Sequence, residues 1–477
     1  MAGGAVTQLS ARGEQDEYIT GPDAAGKPPI TFFKDRYYKH SEFAMESTEQ
    51  TFTGTPNFGS RVECEISRSG DLVHSMDLEV DLPEVDPSTA TWLNTTTGQM
   101  VTGGTSFKWC DHIGHHMIDY VRFVLGGLEI DTQTGLYMHL ISQLTEGNGR
   151  TLGLNRMIGH QEEHTDDIAG HTLQSYNTEV KKATTLRIPL LFWFCTDIGR
   201  SLPLVALQYQ SMKVQVQFKP VSDLFSSSAN SPTYNNLKLG AVKMWVDYIF
   251  LGDDERSEFV EAHHEYIMDS VQCSGSESVI GTNLRVRLPF TSPVKEIIWV
   301  VQHDQLITPT TGTADARRWS NQRSNFTDRA YVNPAGLHQM FPAGATNPVK
   351  KAFITFTTNP RMAERGGDYF SQRQPMKHHE NIPASPAINV YSFAIRPEDP
   401  QPTGSANFSM IDNPTLVMTV GYFATGSLSH VHPTAGLIAA EEGHGSLTGT
   451  SAKVYMFART VGVFRVGGGM GGRVYAA

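Results

Sequence analysis

Along much of this chain apolar and polar residues alternate with a period of two, the spacing of a strand that buries one face. In the first half the pattern runs over 72–82 (LVHSMDLEVDL), 212–218 (MKVQVQF) and 241–251 (AVKMWVDYIFL). The segment 120–125 (YVRFVL) meets Gly126-Gly127 and resumes at 128–131, which predicts a hairpin. A continuous apolar run, 186–195, predicts a strand covered on both faces. The second half repeats the rhythm at 284–288 (LRVRL), 295–302 (KEIIWVVQ), 351–357 (KAFITFT), 388–395 (INVYSFAI), 414–420 (PTLVMTV) and 453–466. Helical spacing is confined to 135–144 (GLYMHLISQL) and 253–262 (DDERSEFVEA). The acidic opening of the second suits a helix N-terminus, and its place between the halves suits a linker.

The halves also share an arrangement. In 186–218 and again in 388–420, an apolar strand leads through a proline-containing loop to an alternating strand. At 477 residues the chain exceeds what one core usually supports, so two domains are expected. The 43 glycines and 25 prolines fit many turns between strands. The expected fold class is all-β, two consecutive eight-stranded jelly-roll sandwiches. Patterning alone does not separate jelly rolls from other β-sandwiches. The expected divisions are an N-terminal arm over 1–27, a first sandwich over 28–252, a linker over 253–262 and a second sandwich over 263–477 with a glycine-rich tail. The arm is hydrophilic and lacks a core pattern, which predicts an extended segment that orders against partners.

Charge and cysteines narrow the function. A net charge of -11 and the lack of a basic cluster argue against direct binding of nucleic acid. Cys64, Cys110, Cys195 and Cys273 are far apart and form no C-x-x-C pair, so neither a zinc ribbon nor a disulfide framework is implied. Residues 1–20 hold no apolar core of signal-peptide length, and the longest apolar stretch, 188–195, is far below the roughly 20 residues of a membrane span. A soluble, non-secreted protein is expected.

Six segments in order resemble one family. They are 1–21 with 30–47 (ITFFKDRYYKHSEFAMES), 62–72 (VECEISRSGDL), 200–218, 245–259 (WVDYIFLGDDERSEF) with 264–272, 390–413 (VYSFAIRPEDPQPTGSANFSMIDN) and 463–475 (VFRVGGGMGGRVY). Together they resemble the major capsid proteins of nucleocytoplasmic large DNA viruses. The resemblance implies a double jelly roll and a homotrimer of pseudo-hexagonal outline. Neighbouring capsomers, minor capsid and penton proteins are the implied partners, with contact to an internal membrane layer only through minor proteins. It also implies a virion protein assembled in host cytoplasm and neither a catalytic, cofactor nor metal site. The unmatched stretches, among them 304–350 and 421–450, are expected to be loops, these two on the outer side.

Several motifs were weighed against that reading. His160-Gln161-Glu162-Glu163-His164 has the H-x-x-E-H spacing of inverted zinc peptidases, which needs both histidines on one helix. Its glycine- and aspartate-rich flanks read instead as a polar loop. The histidines of 111–116 (DHIGHH) read as packing or surface residues rather than a metal cluster. His430-Val431-His432 lacks the glutamate of a cupin, and His263-His264-Glu265 and His378-His379-Glu380 lack a third ligand, so all read as surface histidines. Gly467–Gly472 contains G-x-G-x-x-G but has no following helix to hold a pyrophosphate. Sequons at Asn94, Asn325 and Asn407 mark possible sugar attachment. Two rival functions are a glycan-binding sandwich stacking sugars on Tyr234, Trp319 and Tyr369, and a jelly-roll metalloenzyme.

Overall fold

The computed structural model describes residues 39–94, 99–103, 107–160, 180–227, 233–234, 237–281, 283–303, 326, 346–357, 359–420 and 451–474, and within the first 38 residues 7, 10–11, 13–20, 31–35 and 37. Residues 1–42 form one unit and 43–477 another. In the first unit a helix, α1 (Glu14–Thr20), stands where an extended arm was expected. The Gly13 amide donates to the Asp16 carboxylate at 2.9 Å, a local bond that favours a helical turn.

The first half of the large unit is built on β1 (Phe43–Thr53), β2 (Arg61–Glu65), β3 (Leu72–Leu82), β4 (Ile118–Leu125), β5 (Leu128–Thr134), β6 (Thr184–Pro189), β7 (Met212–Phe218) and β8 (Val242–Leu251). Strand β1 pairs with β8 over residues 43–51 and with β2 at 52–53. It thereby passes from the β6-β3-β8 layer into the β2-β7-β4-β5 layer. Alternation decides the faces: every second residue is buried over 76–82 of β3, 212–218 of β7 and 242–248 of β8. Met76, Leu78, Val80, Met244 and Val246 of one layer share a core with Val62, Val121, Phe123, Val214 and Val216 of the other. Gly126 and Gly127 close the β4–β5 hairpin at φ 57° and 85°, a two-residue turn that needs left-handed backbone at both positions.

The second half contains β9 (His264–Ile280), β10 (Asn283–Arg287), β11 (Pro293–His303), β12 (Val349–Phe356), β13 (Asn389–Ser392), β14 (Thr415–Val420), β15 (Ser451–Gly467) and β16 (Met470–Val474). One layer runs β9-β15-β11-β13 with β16 on β15, and the other runs β10-β14-β12. Leu284, Val286, Ile354, Leu416 and Met418 face Ile297, Trp299, Val301, Val454 and Met456. Strand β11 is buried on both faces, as its unbroken apolar run requires, because Ile298 and Val300 point away from that core into a second cluster.

Two expected strands are shorter than the sequence suggested. The run 186–195 leaves the sheet at Pro189, which has no amide hydrogen to extend a ladder, and turns through the short 3-10 helix Trp193–Cys195. Its apolar side chains still enter the core, so continuous hydrophobicity reported burial and not strand. Over 388–395 pairing stops at Ser392, where the amides of Phe393 and Ala394 both turn to donate to the Lys295 carbonyl.

Helices α2 (Ile113–His116), α3 (Gly135–Thr145), α4 (Asn148–Met157), α5 (Asp253–Glu261) and α6 (Gln374–His378) complete the description. Thr134 caps α3 by accepting from the Tyr137 amide at 3.2 Å. This helix is buried on more than one side. Met138 joins the core of the first half, whereas Tyr137, Leu140, Ile141 and Leu144 pack on Ile298, Val300 and Phe457 of the second. No residue of α5 is buried, and three of its five acidic residues sit in the first turn.

Candidate functional site

Helix α3 therefore wedges the two halves together, and a buried ionic chain ties them beside it. Asp269 of β9 takes the Lys295 ammonium of β11 at 2.8 Å, Arg200 of the first half at 3.4 Å and Arg459 of β15 at 3.9 Å. Arg459 also reaches Glu296 at 2.9 Å. His379, after α6, meets Glu296 at 2.9 Å through Nε2 and Glu398 at 2.7 Å through Nδ1. Burial alone would lower the His379 pKa, but the negative charge of Glu296, with Glu398 adding, raises it to about 9. Burial would likewise push Glu296 up, yet His379 and Arg459 hold it down at about 2. Both stay charged at neutral pH, so the chain is an ion network.

Further contacts run along the same seam. Trp193 packs on Tyr266 and Phe464 with ring centroids 5.5 and 5.4 Å apart. The Tyr209 amide donates to the Gly469 carbonyl at 3.0 Å, and the Gly471 amide to Gln210 Oε1 at 2.7 Å. Asn381 Nδ2 donates to the Gln143 carbonyl at 3.1 Å.

The candidate motifs are scattered over this frame. Gly467–Gly472 spans the β15–β16 hairpin, with Gly468 and Gly469 at φ 62° and 80°, so the glycine pattern serves a turn between strands. His263 is exposed, while Glu265 pairs with Arg465, so that group converges on nothing. His378 contacts the Ile395 carbonyl at 2.9 Å. His379 corrects the expectation of a surface histidine, since its side chain is fully buried in the ion network. His112, His115 and His116 are buried around α2, where they meet His139 and His160. Residues 162–164, Trp319, Asn325, His430 and His432 lie outside the described residues. The expected outer loops do so as well, except for Phe326, which is buried in the cluster on α3, and 346–350, which lead into β12.

The glycan-binding alternative is not supported. Tyr234 is buried and bonded to Ser227 at 2.8 Å, and Tyr369 is half-buried with its ring edge-on to Phe370. Neither offers a free stacking face. At Asn407 the side-chain oxygen accepts from the Ser409 amide at 3.1 Å, capping a short turn.

The profile of the family described as major capsid protein N-terminus matches residues 31–252, and that of the large eukaryotic DNA virus major capsid protein matches residues 255–472. The chain belongs to this capsid protein family. The major capsid protein of Phaeocystis pouchetii virus is 32% identical, with 100% of each chain covered, and that of Paramecium bursaria Chlorella virus 1 is 29% identical at the same coverage. A quasi-atomic structure of the PBCV-1 virus capsid superposes with a TM-score of 0.70 at 25% identity, covering 94% of this chain and 100% of that one. The Faustovirus major capsid protein shares the fold at a TM-score of 0.68 and 13% identity, over 97% and 96% of the two chains. These likenesses establish the double jelly roll. The residues that sequence reading missed, Asp269, Lys295, Glu296, Arg459 and Arg200, form the buried ion network through which the first half meets the second. Their signal was a charged residue inside an apolar strand, as in KEIIWVV and MFARTV.

Proposed function

We propose that three copies of this chain associate as a capsomer of pseudo-hexagonal outline, and that many such capsomers tile the icosahedral shell of a large double-stranded DNA virus. The observation that carries the reading is two similar sandwiches in one chain, locked by a shared buried seam. Three such chains present six near-equivalent edges, and a shell then gains stability from many modest interfaces. Exposed apolar side chains such as Met376, Ile395, Met410 and Tyr209 support self-association. On this reading the protein is structural, without catalytic, cofactor-binding or metal-ligating residues, and its net charge of -11 keeps it off the genome.

The divisions that go with the reading are an arm over 1–27, sandwiches over 28–252 and 263–477, and a linker over 253–262. The arm lies on the inner side of the shell and loops 304–350 and 421–450 on the outer. Deleting 1–27 should leave trimers but impair shell closure, and protease should nick intact particles within the two loops. Minor capsid and penton proteins complete the shell, minor proteins bridge to an internal membrane layer, and assembly takes place in host cytoplasm. Any sugar on Asn94, Asn325 or Asn407 would show as added mass on those peptides.

Light scattering on a sizing column tests the central claim. A species of about 158 kDa, three times the 52.6 kDa chain, is expected. A stable monomer that stays monomeric when viral assembly factors are co-expressed refutes it.

A further inference from the structure

The five histidines gathered beside α3 have no part in the ion network. They come from three separated segments: His112, His115 and His116 around α2, His139 on α3, and His160 beyond α4. All are buried, from 1% exposure at His112 to 8% at His160. The ring of His112 stacks on His160 with centroids 4.2 Å apart and lies 4.6 Å from His139, which is 5.0 Å from His116 and 6.3 Å from His115. Among the described residues neither ring nitrogen of His112 has a hydrogen-bond partner, and Nδ1 of His115 and of His139 has none. The rings stack and tilt rather than converge, and among the described residues no set of them is placed to hold a metal ion.

Such an arrangement tolerates neutral imidazoles and resists charged ones. Burial first, then the neighbouring rings, lowers the pKa of His139 to about 4, that of His115 to about 3 and that of His112 well below the ordinary range. Among the described residues, every titratable group acting on His112 and His115 is another histidine, and on His139 only Asp111 pulls the other way. The position matters as much as the chemistry. His139 is one residue from Met138 and Leu140, which face different cores, and its ring lies 6.2 Å from Phe326 of the second half.

We propose that His112, His115 and His139 are an acid-operated latch: neutral, they seat α3 between the two sandwiches, and protonated below about pH 6 they drive it out and loosen the seam. The sign follows from linkage. Histidines whose folded pKa is lowered contribute stability that is complete above the unfolded value of about 6.5 and is lost as pH falls below it. With three histidines taking up a proton on opening, the opening equilibrium of α3 should rise by up to about a thousandfold per pH unit near pH 5.

Hydrogen–deuterium exchange of the full chain between pH 7.5 and 4.5, corrected for the intrinsic pH dependence of exchange, tests this. Peptides over 135–145 should open steeply below pH 6 while those over 212–218 hold. His139→Gln and His112→Gln should each flatten the response by about tenfold per pH unit, and His263→Gln, outside the cluster, should not. Wild-type protein alone decides the matter if a variant fails to fold. An α3 that stays closed at pH 4.5, or that opens only together with 212–218, overturns the latch. So does one equivalent of a transition metal in the purified chain, because acid would then act by displacing the ion.

Discussion

Replacing His379 by glutamine should remove a stability that wild-type protein itself loses in mild alkali. The His379 imidazole is fully buried between Glu296 at 2.9 Å and Glu398 at 2.7 Å. Its pKa is raised to about 9, against about 6.5 in an unfolded chain. That difference corresponds to about 3 kcal/mol favouring the folded, protonated form. A raised histidine contributes fully below about pH 6.5, and the contribution fades as pH climbs through about 9. Glutamine keeps a hydrogen-bonding side chain of similar reach and has no proton to lose in this window. The variant should therefore melt on the order of 5 °C below wild type at pH 6, and the two should converge near pH 9.5. Differential scanning calorimetry at one scan rate, with both proteins at each pH, gives the comparison even where unfolding is irreversible. Taking the difference between the proteins cancels other titrations, including Asp131, which burial raises to about 6. Two curves that run parallel from pH 6 to 9.5 would refute the assignment of His379 as a charged member of the network.

Four further outcomes follow from the same geometry. Asp269→Ala strands Lys295, Arg200 and Arg459 without their shared acceptor and should cost about 3–5 kcal/mol by denaturant titration, whereas Arg200→Met, which leaves Asp269 two cations, should cost on the order of 1 kcal/mol. Gly135→Ala places a methyl 2.0 Å from the His115 carbonyl oxygen, and Gly367→Ala one 1.9 Å from that of Val349; both should lose about 3 kcal/mol or more, while Gly149→Ala, in open space, should be nearly neutral. Trp299→Ala empties a fully buried site packed edge-on against Phe370, and a loss of about 3–5 kcal/mol is expected. Native-state thiol labelling should leave Cys64 and Cys110, both buried, unmodified under conditions that label the exposed Cys273.

Legibility in the sequence tracked how directly a residue's surroundings depend on its neighbours in the chain. Strands β7 and β14 were plain because solvent covers one face and core the other, and the alternation records both. Strand β9 went unread. Its outward residues are polar, Ser274-Gly275-Ser276 interrupts any period, and its register on β15 shifts between Cys273 and Ser276. The run 186–195 misled for the opposite reason: Leu190, Phe192, Trp193 and Phe194 are buried by turns that local hydrophobicity does not distinguish from a strand.

The seam was least legible because its parts are remote from one another. Arg459 and Glu296 are 163 positions apart, and His139 reaches the rings of His112 and His116 from a different segment. Each looks ordinary in its own stretch, and the family resemblance carried the fold without pointing to any of them. Two local anomalies were nevertheless in view: Lys295-Glu296 and Arg459 interrupt runs of apolar residues, and five of the 18 histidines fall between positions 112 and 160. A charge inside an apolar strand must find a counter-charge or be neutralised, so Glu296 and Arg459 each implied a partner even before one could be named. Imidazoles buried chiefly against one another have the other remedy, which is to stay neutral. The two groups therefore respond to pH in opposite senses around the same wedge, α3, the network weakening in alkali and the histidine cluster in acid. Between those limits both hold, and the two sandwiches behave as one unit.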